Sequence, residues 1–443
     1  MSVRLPSSVD TPDTPTSVWR HPDFLKLWAG QSVSLFGSLL TQFALPLLAA
    51  LMLGAGAGQM ALLAAAEVAP GLLLGFVAGV WVDRLRRRPL LIAADIGRAL
   101  ALASIPIAAV LGALRIEQLY VVAVLVSVCT VFFDVAYPSF LPTLLRREEL
   151  VEGNSKLAAS ESLAEVSGWS IAGVLVQIAG APLAILVDAA TFVVSAISLV
   201  SIRTQEAPPI GAPEAHERMA REVARGLRFV AADPVRRALA AAGAVDTLFG
   251  NALGALITLY LVRDLHLAPV VMGVIFAVGG VSAFAGTLFV PWLARRWPVG
   301  RMLLVGMLVY DLGALTVPLA SGPATLAVAV LIVGQSFDAA YTIYSVTRLS
   351  HFQRTTPDRM QGRLHATLRV VEGCATVVGL ALGGILGQTL GVRVTLFIVC
   401  AGKLLGPVLL VCSPVRRLRD SDVKADSVVM SKDHEALSEP VGG

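Results

Sequence analysis

Two acidic residues lie among aromatic side chains inside long apolar stretches of this sequence. Asp134 occurs in CTVFFDVAYPSF and Asp338 in VGQSFDAAYTIY. Aromatic ring faces attract positive charge and add apolar surface, so a carboxylate beside them suits a lipophilic cation. We expect both acids to bind such a cation, helped by the nearby rings of Phe132, Phe133, Tyr137, Phe337, Tyr341 and Tyr344. The alternative for each acid is a helix-packing role, satisfied by a neighbouring polar group.

Other charged residues also fall within apolar runs. An ionised side chain at the centre of a bilayer costs about 2.5–3.5 kcal/mol on insertion scales, so it usually faces a cavity or a partner. Asp95 and Arg98 are three residues apart, which places them on one helix face and predicts that they pair. Glu165, one turn beyond Glu161, is expected to serve the cation site or to carry a proton. The full set is Glu67, Asp95, Arg98, Asp134, Glu161, Glu165, Asp188, Asp246, Asp311, Asp338, Arg369, Glu372 and Lys403.

The composition shows what kind of chain must position these residues. It is 56% hydrophobic and only 15% charged, with a mean hydropathy of +0.75, whereas soluble domains average about 25% charged residues. A membrane-spanning helix needs about 20 mainly apolar residues, and the chain divides into twelve such runs. The sequence therefore predicts an all-α polytopic membrane protein with twelve transmembrane helices. The predicted spans are 24–50, 58–82, 89–113, 117–145, 156–179, 181–202, 236–262, 268–294, 300–320, 323–349, 363–389 and 391–414.

The positions of Lys and Arg predict the orientation of these spans. With the N-terminus inside, the inner segments hold 29 of the 35 Lys and Arg residues, while the outer loops hold three. Positive charge is enriched in cytoplasmic loops. We therefore expect both termini to be cytoplasmic, in a multi-pass protein of the cell (inner) membrane.

The segments outside the spans divide the chain into domains. Residues 24–202 and 236–415 form two six-helix bundles, and residues 203–235 form a cytoplasmic linker. In the linker Met219, Val223, Leu227 and Val230 recur at helical spacing among arginines, which predicts an amphipathic helix on the inner membrane surface. The polar segments 1–23 and 416–443 are expected to be disordered cytoplasmic tails.

The two bundles also show an internal repeat. A shift of 211 residues places matching residues of the two halves on each other. Matched Trp, Arg and Glu residues at one offset are harder to explain by chance than matched glycines. The repeat predicts two pseudo-symmetric halves related by an axis along the membrane normal. The matching pairs are Gly75 and Gly286, Trp81 and Trp292, Arg84 and Arg295, Glu161 and Glu372, Gly168 and Gly379, Gly173 and Gly384, and Gly180 and Gly391.

A charged loop between the second and third spans connects this architecture to a family. The stretch GVWVDRLRRRPLL, residues 79–91, resembles the signature loop of the major facilitator superfamily, G-x-L-a-D-R-x-G-R-[RK]-x-x-L. A degenerate second copy occurs at GTLFVPWLARRWPVGRML, residues 286–303. Arg86 and Trp81 depart from the signature. The matching residues are Gly79, Asp83, Arg84, Arg87, Arg88 and Leu91.

Three stretches resemble one group within that superfamily. These are FLKLWAGQSVSLFGSLLTQFALPLL (24–48), DRLRRRPLLIAADIGRAL (83–100) and YPSFLPTLLRREELVEGNS (137–155), which are similar to the third drug:proton antiporter group of bacterial exporters. The resemblance implies efflux of lipophilic cationic or neutral compounds such as macrolides, by alternating access coupled to proton influx, and hence multidrug resistance. The alternative is a facilitator-fold exporter of a siderophore or an endogenous metabolite.

The resemblance also implies roles for particular residues. The loop residues from Gly79 to Arg88, with Asp95 and Arg98, would form a cytoplasmic gate in which Asp83 reaches the inner end of the eleventh span near residues 361–363. The fourth and tenth spans would line the cavity. Glu161 and Glu372 would face each other where the halves meet, with Arg369 between them.

Other classes of protein find little support in the sequence. A pump driven by ATP needs a G-x-x-x-x-G-K-[ST] loop, which does not occur, and the six histidines and four cysteines lack the spacing of metal ligands. We therefore expect no cofactor, no metal, no enzymatic activity and no nucleic-acid partner. The expected partners are a small-molecule substrate, protons and membrane lipids, and the expected assembly is a monomer.

Overall fold

The computed structural model describes residues 18–82, 84–204, 206 and 216–418. These residues form helices joined by short turns. The longer helices of the first half are α1 (Pro22–Leu51), α2 (Ala57–Val82), α3 (Arg87–Val110), α4 (Ile116–Leu144), α5 (Leu150–Ala179) and α6 (Ala181–Ser201). The others are α7 (His216–Ala232), α8 (Pro234–Arg263), α9 (Pro269–Ala294), α10 (Val299–Ala314), α11 (Thr316–Leu319), α12 (Ala324–Gln335), α13 (Asp338–Thr355), α14 (Asp358–Thr389), α15 (Val392–Lys403) and α16 (Leu405–Val411).

The described residues contain twelve segments that are long and apolar enough to cross a membrane. This confirms the predicted all-α architecture of twelve spans. The ninth, tenth and twelfth spans each consist of two helices, namely α10 with α11, α12 with α13, and α15 with α16. Three helices are longer than their apolar runs, because polar turns continue them beyond the apolar stretch: α5 begins at Leu150, α13 ends at Thr355 and α14 begins at Asp358.

The tenth span is broken near its middle, where the sequence predicts one continuous helix. The hydroxyl of Ser282 on α9 donates to the carbonyl of Ser336 at 2.6 Å and accepts from the N–H of Ala339 at 3.0 Å. These two bonds satisfy backbone groups that the break leaves without helical partners. The break places Asp338 in the first turn of α13, where exposed N–H groups favour a carboxylate.

Glycines matched by the repeat occupy equivalent places within the two halves. A Cβ on Gly168 of α5 would lie 2.5 Å from Leu39 of α1, and a Cβ on Gly379 of α14 would lie 2.0 Å from the carbonyl oxygen of Leu248 on α8. The fifth span therefore packs closely on the first, and the eleventh on the seventh. This equivalence supports the pseudo-symmetry that the 211-residue offset predicts.

The two halves meet along α5 with α9 and along α2 with α14. A Cβ on Gly173 would lie 2.9 Å from the Cα of Gly273, and a Cβ on Gly384 would lie 2.7 Å from the Cβ of Ala61. Gly173 and Gly384 are also matched by the repeat. Both close contacts lie toward the face opposite the chain termini, which we call the distal face; the face that carries Val18 and Arg417 is the terminal face.

The hydrophobic cores differ between these two faces. Toward the distal face a single core includes residues of both halves, among them Leu48, Phe192, Leu259 and Leu396. Toward the terminal face each half has a core of its own. One contains Phe24, Leu91 and Phe140, and the other contains Leu303, Phe352 and Leu410. The halves are thus joined at the distal face and separate at the terminal face.

The linker contributes helix α7 in the segment where helical spacing predicts one. A Cβ on Gly226 would lie 2.1 Å from the hydroxyl oxygen of Thr367 on α14. Val230 is buried in the terminal core of the second half, whereas Leu227 is half exposed. The sequence predicts contact with the membrane surface, and the structure adds a contact with α14.

Asp233 lies between α7 and α8. Its partial burial opposes ionisation and by itself would raise its pKa. The backbone and guanidinium N–H groups of Arg236 donate to the carboxylate and outweigh that effect, so the pKa of Asp233 is lowered.

Candidate functional site

A cavity of about 360 Å³ lies between the two halves. Helices α1, α2 and α5 of the first half and α8, α9 and α14 of the second half line it. Gln42, Asn251 and Thr258 contribute polar groups, whereas Glu67 is the only ionisable residue among the described residues of the lining. The cavity wall is therefore mainly apolar, with one acid.

Three aromatic rings gather on one side of this central cavity. Phe43 of α1, Trp169 of α5 and Phe276 of α9 lie with ring centroids 5.5 to 6.4 Å apart. Met60 and Met272 lie nearby in the lining. Aromatic and methionine side chains adapt to ligands of different shape. This group was not predicted, because the three rings come from distant parts of the chain and share no local pattern.

A second cavity of about 370 Å³ lies inside the first half, between α1, α2, α3 and α4. Asp134 lines it together with Thr41 and Thr130. Glu67 lines both cavities. The two carboxylates make this part of the protein acidic, since no basic residue is among the described lining of either cavity. Glu67 is in the set of charged residues within the predicted spans, but its position gives no local signal that would single it out.

The aromatic residues near Asp134 lie outside the described lining of both cavities. Phe133 is buried and contacts the guanidinium of Arg98, with Cζ 4.3 Å from the ring centroid. Tyr137 stacks on Phe133 at 5.8 Å, and Phe132 packs against Trp81 at 6.2 Å. These rings therefore belong to helix packing in this conformation.

The aromatic residues near Asp338 are distributed in a similar way. Tyr344 is buried in the terminal core of the second half. Tyr341 packs against Tyr310, with ring centroids 4.7 Å apart, and Phe337 lies at the break before α13. Asp338 is half-buried at that break. None of these four residues is among the described lining of the two cavities.

The expected group of Glu161, Arg369 and Glu372 does not form among the described residues. Glu372 pairs with Arg348 of α13 instead. Gly243 leaves room for this pair, since a Cβ there would lie 1.9 Å from a guanidinium nitrogen of Arg348. Glu161 and Arg369 are exposed, and neither forms an ion pair with a described residue. The sequence analysis did not foresee this partner, because Arg348 lies near the end of the predicted tenth span (323–349) and Glu372 lies in the eleventh, so no local pattern connects them.

Glu165 is exposed on α5, next to the contact between the halves. A Cβ on Gly280 of α9 would lie 3.2 Å from the carbonyl oxygen of Glu165. The backbone at Glu165 therefore takes part in the contact between α5 and α9. Its carboxylate is not among the described lining of either cavity.

Asp95 and Arg98 form the ion pair that their spacing predicts. Both are buried. The Arg98 guanidinium lies between two rings, 4.3 Å from the centroid of Phe133 and 4.2 Å from that of Phe192. The pair lies inside the first half, near the terminal end of α3.

The described part of the signature loop is bound to its own half. The carboxylate of Glu206 accepts the backbone N–H groups of Arg87 at 2.8 Å and Arg88 at 3.2 Å, and so caps α3. The Arg88 guanidinium donates to the carbonyls of Leu199 and Val200 at the end of α6. Arg84 is exposed.

Two residues of this motif bear on its expected contact with the second half. A Cβ on Gly79 would meet no described atom within 4 Å, so the end of α2 is open on that side. Asp83 lies outside the described residues. Its expected contact with residues 361–363 remains a prediction.

The second half contains a buried charged cluster that the sequence analysis did not assign. Lys403 of α15 pairs with Asp246 of α8 and lies 3.4 Å from Oδ1 of Asp311 on α10. The ring centroid of Tyr310 is 4.5 Å from the Lys403 ammonium. The three charges were visible within the predicted spans. Their association was not, because they come from three different helices.

Comparisons with known proteins agree with the architecture. Residues 13–441 match the family described as "Transmembrane secretion effector". The "Uncharacterized MFS-type transporter YfiS" of Bacillus subtilis (strain 168) is 25% identical over 393 residues, which are 85% of this chain and 89% of the relative. The "Multidrug efflux pump Tap" of Mycolicibacterium fortuitum is 25% identical over 417 residues, 92% of this chain and 99% of the relative.

Among solved structures, the fold is similar to that of a bacterial homologue of the iron transporter ferroportin in an inward-facing state. The TM-score is 0.73, the sequence identity is 20%, and the match covers 89% of this chain and 99% of the other. At this level of identity the likeness concerns the fold alone.

Proposed function

The chain belongs to the transmembrane secretion effector family of major facilitator superfamily transporters, and we propose that it exports lipophilic, cationic or neutral small molecules in exchange for protons. The chain is a multi-pass membrane transporter and not an enzyme. The nature of the cargo, the exchange for protons, the monomeric assembly and the cytoplasmic position of both termini are parts of the proposal.

The composition of the central cavity carries this proposal. Its described lining combines the rings of Phe43, Trp169 and Phe276 with one acid, Glu67, and with the amides of Gln42 and Asn251. A carboxylate in an apolar, aromatic surrounding favours a lipophilic cation over an anion. A neutral compound can use the same rings and amides.

The arrangement of the cores supports alternating access. The halves share a core at the distal face and have separate cores at the terminal face. With both termini in the cytoplasm, this arrangement corresponds to an inward-facing conformation, ready to accept cargo from the cell. Export then requires the halves to separate at the distal face and to meet at the terminal face.

The signature loop fits the role of a gate in that movement. Because Glu206 and the end of α6 hold Arg87 and Arg88, the base of the loop moves with the first half. Gly79, with open space beside it, then offers a site where the second half can approach.

Transport of ethidium, a permanently charged lipophilic dye, tests the proposal. The full chain is reconstituted into vesicles with an acidic lumen and a neutral exterior. Protein molecules whose terminal face points outward should move ethidium into the lumen in exchange for luminal protons. Collapse of the proton gradient should stop the accumulation of ethidium in the vesicles.

Variants of two acids make this assay specific. Glu67→Gln should reduce dye accumulation, because it removes the acid of the central cavity. Glu117→Gln, an exposed acid in the first turn of α4, is the matched control and should behave like the wild type. Absence of gradient-dependent dye movement by the wild type, or full activity of Glu67→Gln, contradicts the proposal.

A further inference from the structure

The buried cluster of Asp246, Lys403 and Asp311 has features of a binding site for a small cation. Its three charged residues come from α8, α15 and α10, near the middle of the corresponding spans. Lys403 and Asp311 are buried, and the side chain of Asp246 is 13% exposed. Two carboxylates therefore share one ammonium group in a region with little solvent.

The hydrogen bonds of the cluster are unevenly distributed. Lys403 donates to Asp246, while its distance to Asp311 is 3.4 Å, which is long for a hydrogen bond. Neither carboxyl oxygen of Asp311 has a hydrogen-bond partner among the described residues. A buried polar group without such a partner is costly. Asp311 is thus the member of the cluster that lacks a hydrogen-bond donor among the described residues.

The surrounding groups do not supply the missing positive charge. Tyr310 of α10 contacts Lys403, and Tyr341 of α13 packs against Tyr310. Cys400 of α15 donates to the carbonyl of Ala314, and Asp338 of α13 adds a further acid. Arg348, another cation of this half, is paired with Glu372. With both aspartates ionised the cluster carries one negative charge in excess, and one proton neutralises it.

The cluster lies directly behind the wall of the central cavity. Gly250 is one turn beyond Asp246 on α8 and lines the cavity. A Cβ on Gly250 would be 3.9 Å from the Lys403 ammonium nitrogen. Glu67 lines the same cavity from the opposite half. A charge in the cavity is therefore close enough to influence the cluster electrostatically.

We propose that the Asp246–Lys403–Asp311 cluster is the proton-binding site that couples the proton gradient to transport, and that it is separate from the cargo-binding acid Glu67. The proposal rests on the proposed function. When a proton binds, an O–H bond forms on Asp311 and Lys403 remains with Asp246. When the proton leaves to water, the Asp311 carboxylate competes for Lys403. The attraction between α15, α8 and α10 changes accordingly.

A spectroscopic experiment tests the cluster without any cargo. The infrared difference spectrum of the reconstituted full chain is recorded between acidic and alkaline pH. Every titrating carboxyl group contributes to the carboxylic acid C=O band, and we expect one component of it to be present in the wild type and in Glu67→Gln but absent from Asp311→Asn. Asp246→Asn should also remove it, because Lys403 then neutralises the Asp311 carboxylate. A C=O band that is unchanged from the wild type in both cluster variants overturns the proposal.

A transport experiment separates coupling from cargo binding. Asp311→Asn should lose gradient-driven accumulation of ethidium while keeping the exchange of labelled for unlabelled ethidium without a gradient. Glu67→Gln should reduce both activities. A merely structural role of Asp311 predicts equal loss of both activities in Asp311→Asn, and retention of gradient-driven accumulation by this variant overturns the proposal. If a sodium gradient drives accumulation of ethidium by the wild type in place of the proton gradient, the proposal is also overturned. If the wild type moves no dye in either assay, the proposed cargo is wrong, and the infrared band alone decides on the cluster.

Discussion

Gly173 of α5 and Gly273 of α9 approach each other so closely that a Cβ on Gly173 would lie 2.9 Å from the Cα of Gly273 and 2.8 Å from the carbonyl oxygen of Pro269. Both distances are too short for a methyl group. The contact joins the two halves near the distal face and depends on the absence of side chains on both helices.

We therefore predict that Gly173→Ala weakens closure of the distal face. The added methyl group should force α5 and α9 apart, at a cost of about 1–3 kcal/mol in the closed conformation. Labelling of a single cysteine at Thr258 by an impermeant reagent from the distal side, with the native cysteines replaced, should become faster.

Gly56→Ala is the matched control for this change, because a Cβ at Gly56 would meet no described atom within 4 Å. It should leave the labelling rate unchanged. Equal labelling rates in Gly173→Ala and the wild type would show that this glycine contact does not hold the halves together.

The aromatic group in the central cavity gives a prediction about affinity. Trp169→Ala removes a ring beside Phe43 and Phe276, and a single cation–π contact contributes about 0.5–2 kcal/mol. We expect the KM for ethidium to rise roughly tenfold, the equivalent of about 1.4 kcal/mol. Trp292→Ala, on an exposed surface of α9 outside the described cavity lining, serves as the control and should leave the KM unchanged.

The Arg348–Glu372 pair gives a prediction about stability. Glu372→Gln leaves the Arg348 guanidinium partly buried without its anion. We expect a loss of roughly 2 kcal/mol, less than for a fully buried pair because about a third of the Glu372 side chain is exposed. Arg369→Gln, one turn away on α14 and exposed, should change stability by less than about 0.5 kcal/mol. Thermal unfolding of the purified protein in detergent measures both, and equal effects of the two changes would refute the pairing.

The cap on α3 gives a prediction about the signature loop. Glu206→Ala removes the acceptor of the Arg87 and Arg88 N–H groups and should cost about 1 kcal/mol. Hydrogen exchange at these two amides should become faster, while exchange in the middle of α3 stays unchanged. Glu148→Ala, an exposed acid at the same face, should alter neither region.

The expected role of Asp83 as part of the gate is tested by Asp83→Asn. This change should leave membrane insertion and expression intact, reduce transport and increase the population of inward-facing molecules. Accessibility labelling from the terminal side measures that population. If labelling and transport both match the wild type, the loop serves only to orient the two spans that it connects.

The fold was largely predictable from the sequence, because membrane insertion imposes apolar runs of fixed length and places arginines at one face. The repeat was predictable for a related reason. Gly168 and Gly379 must remain small where α5 meets α1 and α14 meets α8, so the same residue recurs at the same offset. The pairing of Asp95 with Arg98 followed from spacing on one helix.

The site was less predictable, because its contacts join different helices. No local pattern connects Lys403 with Asp246, or Arg348 with Glu372. Aromatic residues that are next to an acid in the sequence did not line the described cavities, because neighbouring positions on a helix face different directions. Phe133 next to Asp134 thus points into the core while Asp134 lines a cavity.

The broken tenth span has a mechanical consequence. Its distal piece, α12, contributes Ala327 and Leu331 to the core that both halves share, whereas its terminal piece, α13, contributes Tyr344 and Phe352 to the core of the second half alone. The hydroxyl of Ser282 holds the two pieces end to end. We therefore expect the tenth span to bend at this mid-membrane break when the two halves move relative to each other, because its two pieces are packed in different cores.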